Sequence, residues 1–315
     1  MATGGTIAMQ SSPDGRGAMP TLKGRDLKDL LPRGLAEIQV EECCNLPSAH
    51  LSMEMAWDLA QRIRRLVARA DVEGVVITHG TDTLEETAYL LDLVVATAKP
   101  IVLTGAMRTA SDLGYDGLAN LAGAIRVAAT EKAQGLGVLV VLNDEIHAAR
   151  EVTKAHALSL DAFKSPMFGP LGRIEGDRVL MARSVVPERI PADRLNPNVY
   201  LTKLALGMDE RFLRSLLSDP QVAGVVIEGL GGGRLPPWWL EAVRAAVERG
   251  MAVVVVSRCP GGSAYDAYGY AGAYRDLASL GVLHAPGLTG LKARIRLMVA
   301  LGAVGSRSEL RRYFE

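Results

Sequence analysis

Two glycine-containing turns in this chain each carry a threonine hydroxyl. One reads Thr3-Gly4-Gly5-Thr6, and the other reads Gly80-Thr81-Asp82, which adds a carboxylate. Glycine lets the backbone approach a ligand closely. A threonine hydroxyl is a weak nucleophile that needs a neighbouring base or a partner that shifts its pKa. The two turns therefore indicate nucleophilic chemistry at Thr6 or Thr81, provided that such a partner lies nearby.

Lys154 is the residue that could supply this partner. It ends the segment Glu151-Val152-Thr153-Lys154, soon after an apolar run at 138–142. A lysine held against apolar walls can lose its charge and act as a base, and Asp82 could orient it or bind a substrate ammonium. Two simpler interpretations stay open. Lys154 could be a solvated surface residue, and Thr81 and Asp82 could serve only as helix caps.

Glycine-rich turns also bind phosphates, so a nucleotide site is the competing interpretation. The sequence contains no GxxxxGK[ST] motif and no GxGxxG followed by an acid at the required distance. The run Gly229-Leu230-Gly231-Gly232-Gly233 follows an apolar segment but lacks that spacing. The motif evidence therefore disfavours a nucleotide ligand.

The elements around these turns are predicted from periodicity. An apolar run at 72–78 reads as a buried parallel strand, and Thr83 with Glu86 fits a capping box, which predicts a helix beginning just after Thr83. Ligands of open α/β sheets bind at the carboxyl ends of strands, where Thr81 lies. Further strands are predicted at 101–104, 138–142, 222–227 and 252–256, and helices at 52–70, 116–130 and 236–250.

This alternation predicts an α/β protein with two domains. The stretch 185–199 contains Pro187, Pro191 and Pro197, which is typical of a linker. We therefore expect an N-terminal domain at 1–182, a linker at 183–199 and a smaller C-terminal domain at 200–315. The Ser-, Gly- and Pro-rich segment 10–23 could be a lid, a hairpin or a disordered connection.

Composition excludes several classes of function. The 315 residues include 35 basic and 35 acidic side chains, so no basic footprint for nucleic acid is predicted. The three cysteines, Cys43, Cys44 and Cys259, form neither a disulfide framework nor a zinc pattern. No apolar stretch is long enough to span a membrane, and no signal segment is recognised. A cytoplasmic location is the resulting expectation.

Taken together, the motifs resemble the bacterial-type L-asparaginases, a family that includes asparaginase-glutaminases. The segment 3–8 (TGGTIA) looks like the family's first signature, and 78–87 (THGTDTLEET) looks like its second. The segment 99–108 (KPIVLTGAMR) matches the next strand and turn, and 152–154 (VTK) matches the segment with the family lysine. The resemblance spans essentially the whole chain and weakens in the C-terminal third.

The resemblance implies roles for individual residues. Thr6 matches the threonine that attacks the substrate amide, and Thr81, Asp82 and Lys154 match the second catalytic group; which threonine initiates attack stays open. The resemblance implies substrate contacts from Ser48, Gly80, Thr81, Asp82 and Ala106, with Gly80 and Thr81 supplying oxyanion donors. It implies no metal or organic cofactor. The fold implied is a larger N-terminal parallel-sheet domain with helices on both faces and a smaller C-terminal α/β domain.

Three departures from the family pattern affect the expected site. The segment 10–23 lacks the tyrosine that the family usually has there, and we hypothesise that Tyr268, or else Tyr265 or Tyr270, fills that role from a neighbouring subunit. An aromatic surface patch at a subunit contact would explain the same cluster. Ala49 stands where many relatives carry glutamine, which bears on the preference for Asn or Gln. Finally, only Met1 and Ala2 precede Thr3, where the family has a short apolar strand, so we expect a missing or truncated first strand.

The implied activity is hydrolysis of L-asparagine to L-aspartate and ammonia through an acyl-threonine intermediate. Broader action on L-glutamine and a non-catalytic amino-acid-binding protein are the alternatives. The asparaginase-like subunit of a tRNA-dependent amidotransferase carries an extra N-terminal domain, for which this chain has no room. The resemblance also implies a homo-oligomer, either a dimer or a tetramer, with Arg234 acting in a neighbour's site.

Overall fold

The computed structural model describes residues 1–12, 14–15 and 17–314. These residues form two compact units, Met1–Arg189 and the segment from Ile190 onward. Each unit is an α/β structure with a sheet of its own, as the alternating pattern predicts. The limits expected at residues 182 and 200 stay a prediction.

The strands described in the first unit lie between Ala2 and Met181. These are β1 (Ala2–Gly4), β2 (Met9–Ser11), β3 (Ala18–Pro20), β4 (Glu42–Leu46), β5 (Val75–Thr78), β6 (Ile101–Thr104), β7 (Val138–Leu142), β8 (Glu145–Ala148), β9 (Thr153–Lys154), β10 (Phe163–Lys164), β11 (Gly172–Glu175) and β12 (Arg178–Met181). Eight of them form one sheet in the order β12-β11-β8-β7-β6-β5-β1-β4.

The sheet of the first unit is mixed and mostly parallel. Strands β4, β1, β5, β6 and β7 pair in parallel, whereas β8, β11 and β12 extend the sheet antiparallel. The reversal after β7 occurs at Asn143 and Asp144, whose φ angles are 50° and 60°. Asn and Asp tolerate this left-handed conformation, which a two-residue hairpin requires. Periodicity alone does not predict this antiparallel extension.

The first strand is present among the described residues, so the expectation that it is missing is wrong, whereas its truncation stays a prediction. A strand of three residues, Ala2–Gly4, lies between β4 and β5 and pairs with both. Thr3 and Gly4, assigned to the turn from sequence, belong to this strand. Met1 extends the pairing, because its amino group donates to Val76 O (2.7 Å) and its carbonyl accepts from Thr78 N (3.0 Å). Strand β1 therefore fills the position next to the edge strand β4.

Four helices accompany this sheet: α1 (Gly24–Asp29), α2 (Met53–Val67), α3 (Leu84–Val94) and α4 (Gly117–Ala128). Ser52 caps α2 by accepting the Met55 N–H. Helix α4 packs Ala124 and Val127 into an apolar cluster with strand residues including Val102, Leu139 and Val141. The segment 10–23 contains the antiparallel pair β2–β3, so it is a hairpin.

The second unit is a four-stranded parallel sheet with its own helices. The strands are β13 (Val199–Lys203), β14 (Gly224–Gly229), β15 (Ala252–Ser257) and β16 (Leu283–His284), in chain order across the sheet. The helices are α5 (Arg211–Leu217), α6 (Leu240–Glu248), α7 (Tyr274–Ser279) and α8 (Gly290–Ala303). Trp239 is fully buried in the core of this unit. None of the described helices in either unit has the length and apolar character needed to cross a bilayer.

Candidate functional site

The turn after β5 brings a hydroxyl, a carboxylate and an ammonium into direct contact. Lys154 Nζ donates to Thr81 Oγ1 at 2.9 Å and to Asp82 Oδ1 at 2.7 Å. Thr81 is buried, and the Lys154 side chain is 15% exposed, whereas that of Asp82 is 67% exposed. The predicted contact between the lysine and this turn is therefore present. Lys154 faces the protein interior at Thr81 and reaches the solvent edge at Asp82.

The Thr81 turn is placed by strand β5 and helix α3. Helix α3 begins at Leu84, as predicted, but the expected capping box is wrong because Thr83 makes no side-chain cap hydrogen bond. Its hydroxyl donates instead to Ser48 O at 3.1 Å. The N-terminus of α3 still points its positive dipole end toward the turn.

The Thr6 turn abuts the Thr81 turn. Gly4 and Gly5 have φ angles of 95° and 82°, in the left-handed region, and Thr6 then begins a short 3-10 turn. A Cβ placed on Gly5 would lie 2.3 Å from Gly80 Cα, so the two backbones touch. Thr6 itself is half-buried. The two threonine turns, distant in sequence, are therefore neighbours in space.

Ser48 lies on the other side of Gly80. A Cβ on Gly80 would be 2.7 Å from Ser48 Oγ, and Thr83 N donates to the same oxygen at 3.4 Å. Ser48 is 3% exposed and begins a 3-10 turn after β4. The structure thus brings Ser48, Gly80, Thr81 and Asp82 together.

Ala106 occupies the turn after β6, but its side chain lies in the apolar core. It packs in a cluster with Ile7, Ala8 and Leu121, directly behind the Thr6 turn. A substrate contact from Ala106 would have to come from its main chain. A Cβ on the preceding Gly105 would lie 2.6 Å from His79 O, so this turn also borders the one after β5.

His79 supports the Thr81 turn as a neutral side chain. It is completely buried, and burial lowers the pKa of His79 to about 4. Nδ1 lies 2.7 Å from Gly80 O. Because a carbonyl only accepts, Nδ1 carries the proton and donates it to Gly80 O. His79 therefore fixes the turn at neutral pH.

Two supporting residues were missed by the sequence reasoning. The Tyr115 hydroxyl donates to Ile7 O at 2.5 Å, one residue from Thr6, and burial raises the pKa of its phenol. Asp116 accepts from the backbone N–H groups of Met107 and Arg108 and so holds the Ala106 turn. Asp116 is the first residue of the predicted helix at 116–130 and directly precedes the observed helix α4, and that position is the one signal that could have indicated a capping or turn role.

The aromatic cluster of the second unit is exposed. Tyr265, Tyr268 and Tyr270 are 69%, 50% and 52% exposed, and the Arg234 guanidinium lies 4.3 Å from the centre of the Tyr268 ring. Their contribution to a neighbouring subunit's site stays a prediction. Among the described residues of the chain, no group of three or more His, Cys, Asp and Glu side chains could hold a metal ion.

Two protein-family models match this chain. The family model described as Asparaginase, N-terminal, matches residues 1–187, and that described as Glutaminase/Asparaginase C-terminal domain matches residues 198–314. An L-asparaginase of Bacillus licheniformis is 35% identical over 306 residues, covering 96% of this chain and 94% of that protein. A probable L-asparaginase of Deinococcus radiodurans is 40% identical over 321 residues, covering 99% and 95%.

A solved structure matches this chain over nearly its full length. The crystal structure of a probable cytoplasmic L-asparaginase from Campylobacter jejuni superposes with a TM-score of 0.88 at 33% identity, covering 99% of this chain and 97% of that one. With both sequence halves and the complete fold matched, the chain belongs to the asparaginase/glutaminase family of amidohydrolases.

Proposed function

We propose that this protein is an L-asparaginase, which hydrolyses L-asparagine to L-aspartate and ammonia. The observation that carries the proposal is the contact of Lys154 Nζ with Thr81 Oγ1 at 2.9 Å, in a turn that abuts the turn of Thr6. A hydroxyl in contact with a lysine is the arrangement that moves protons during nucleophilic catalysis. Because the chain belongs to the asparaginase family, we infer that the substrate of this chemistry is an amide.

In the first half-reaction, the Thr6 oxygen attacks the side-chain amide carbon of asparagine. The Thr6 proton passes through the Thr81–Lys154 pair to the amide nitrogen, the C–N bond breaks, and ammonia leaves. Backbone N–H groups at Gly80 and Thr81 stabilise the oxyanion, a contribution of roughly 10²–10³ in rate for each donor. The product of this step is an aspartyl ester of Thr6.

In the second half-reaction, water attacks the ester carbonyl and releases aspartate. The same Thr81–Lys154 pair accepts a proton from the water and returns one to Thr6, so the enzyme regains its starting state. Asp82 is the group that binds the substrate ammonium, because its carboxylate is the exposed member of the cluster. Ser48 binds the substrate carboxylate, and Ala106 contributes through its main chain.

An ammonia-release assay on L-asparagine tests the proposal. We expect Thr6→Ala and Lys154→Met each to lower kcat by roughly 10³-fold or more, because each removes a member of a group that acts as a unit. Lys164→Met is the control: Lys164 also lies on a two-residue strand and makes ion pairs, but its side chain is more exposed, at 38%, and it pairs with Glu145 and Asp161.

The control should keep most of the wild-type turnover, and circular dichroism should give the same spectrum for all variants. Wild-type turnover that survives unchanged in Thr6→Ala would exclude Thr6 as the nucleophile. Absence of ammonia release from both Asn and Gln, with measurable aspartate binding, would instead identify a non-catalytic amino-acid-binding protein.

The second candidate function is a glutaminase-asparaginase of broader specificity. The description of the C-terminal family model names glutaminase beside asparaginase, and Ala49 next to Ser48 leaves a small side chain at the expected substrate carboxylate. The ratio of kcat/KM for asparagine to that for glutamine separates the two functions.

We also propose a cytoplasmic homo-oligomer, a dimer or a tetramer, with the domains at 1–182 and 200–315. The Campylobacter jejuni relative is a probable cytoplasmic L-asparaginase, which supports the location. The exposed tyrosines 265, 268 and 270 support a subunit contact, because exposed aromatic clusters are typical of interfaces. In this arrangement Tyr268 and Arg234 would act in a neighbour's site.

A further inference from the structure

Glu85 is a buried carboxylate that contacts the segment carrying Lys154. It is the second residue of α3 and only 4% exposed. Its Oε1 accepts the Thr153 hydroxyl and the Lys154 backbone N–H, each at 3.1 Å. Carboxylates are seldom buried unless they are hydrogen-bonded, and the first turn of a helix favours a negative charge. Glu85 is therefore built into the fold as an anchor for β9.

This anchor connects β9 to the element that carries the other catalytic groups. Helix α3 begins two residues after Asp82, so Thr81, Asp82 and Glu85 belong to one continuous turn and helix. The backbone of Lys154 is held by Glu85, and its ammonium is held by Thr81 and Asp82. The same lysine is thus attached at both ends to a single rigid unit.

The attachment matters because a lysine side chain is long and rotatable. Ordering such a chain costs side-chain conformational entropy. The ammonium contact with Asp82 is weak by itself, since the Asp82 side chain is 67% exposed and its charge is screened by water. A fixed main chain at Lys154 limits the positions that Nζ can reach, so that Thr81 Oγ1 stays within hydrogen-bond distance.

We propose that Glu85 is a positioning residue, which acts through Lys154 to keep its amine on Thr81 for proton transfer. The inference rests on the proposed function for its catalytic consequence. The role of Glu85 is to hold β9 in register with the turn. Both hydrogen bonds come from β9, because the Thr153 hydroxyl and the Lys154 backbone N–H each donate to Glu85.

Steady-state kinetics of four variants test the inference. Glu85→Ala removes the acceptor, and we expect kcat to fall roughly 10²-fold with KM changed less than about threefold, as for a misplaced catalytic group. Glu85→Gln keeps an oxygen acceptor for both donors, so it should retain about a third of wild-type kcat or more. Thr153→Val removes one donor and should lie between them, whereas Thr153→Ser keeps the hydroxyl and should behave as wild type.

A double-mutant cycle separates positioning from general support of the fold. In a Lys154→Met background, Glu85→Ala should cause no further loss of kcat, because its effect passes through the missing amine. Losses that multiply, or a Glu85→Gln variant as impaired as Glu85→Ala, would overturn the inference. If Glu85→Ala does not fold, the Thr153→Val and Thr153→Ser pair decides: equal kcat in the two overturns it.

Amide hydrogen exchange gives a readout that does not depend on catalysis. Peptides covering residues 150–158 should exchange at least about tenfold faster in Glu85→Ala, whereas peptides from α4 should be unchanged. Unchanged exchange at 150–158 would overturn the anchor itself. A wild-type protein that releases no ammonia but shows the expected exchange difference would instead refute the proposed function and leave the anchor standing.

Discussion

At the scale of single residues, the site depends on side chains that hold the reacting groups as much as on those groups. Tyr115, which is half-buried, donates to Ile7 O at 2.5 Å, and His79, which is buried, donates to Gly80 O at 2.7 Å, so each threonine turn has a side-chain donor fixing a carbonyl beside it. Neither contact joins a side chain to a catalytic atom. Both determine where the Thr6 and Thr81 hydroxyls lie.

Tyr115→Phe tests this support for Thr6. The ring is kept and only the donor to Ile7 O is lost, so we expect the free energy of unfolding to fall by about 1 kcal/mol. We expect kcat to fall roughly tenfold, because the Thr6 turn loses its fixed position. Urea unfolding and the ammonia assay measure the two effects. Tyr200→Phe, on strand β13 of the second unit, is the control, and equal behaviour of the two variants would contradict the role of Tyr115.

At the scale of elements, the ends of β1 and β5 bring the two threonine turns into contact. Continuous apolar runs predicted β6 and β7 with their observed limits and β5 with its observed end at Thr78, and Ser52 marked the start of α2. The contacts from Glu85 to Lys154 and from Tyr115 to Ile7 span 69 and 108 residues. Such side-chain contacts leave no local periodicity, so the sequence could not indicate them. Thr6, Thr81, Asp82 and Lys154 could be proposed as site residues because their segments carry recognisable motifs, and their catalytic roles stay a prediction.

Gly5→Ala tests the contact between the turns. Alanine is strained wherever φ is positive, but at Gly5 its Cβ would also meet Gly80 Cα at 2.3 Å. Gly34→Ala is the matched control, because Gly34 has a similar φ of 84° with nothing within 4 Å of its Cβ. We expect both variants to lose stability, and only Gly5→Ala to lose roughly 10²-fold in kcat. Similar kcat for the two would show that the abutting turns are not needed.

At the scale of the whole molecule, both units bury neutral histidines. Burial lowers the pKa of His79, His147 and His284 to about 4, below the ordinary value of 6.5. The unfolded chain therefore binds protons at these sites between pH 6.5 and 4, while the folded chain does not. Their contribution to stability is complete above pH 6.5 and is lost as the pH falls toward 4.

We expect the free energy of unfolding to decrease steadily from pH 6.5 to pH 4.5. The slope is about 1.4 kcal/mol per pH unit for each histidine that is protonated in the unfolded chain and neutral in the folded chain. Urea unfolding at half-unit pH intervals measures the slope. His147→Gln, which cannot be protonated, should flatten the slope relative to wild type, because one buried site no longer titrates. A slope that is identical in the two proteins would contradict the contribution of His147.

The contact between Gly5 and Gly80 also ties activity to the order in which the chain folds. Each turn can form locally, but they meet only when β1 docks against β5, which closes a loop of some 75 residues. Closing a long loop costs conformational entropy before any stabilising contact forms. The pairing of β1 with β5 is therefore slow compared with helix formation. A refolding molecule would then contain most of its helices before it has any catalytic activity. Turnover could not begin before β1 docks against β5.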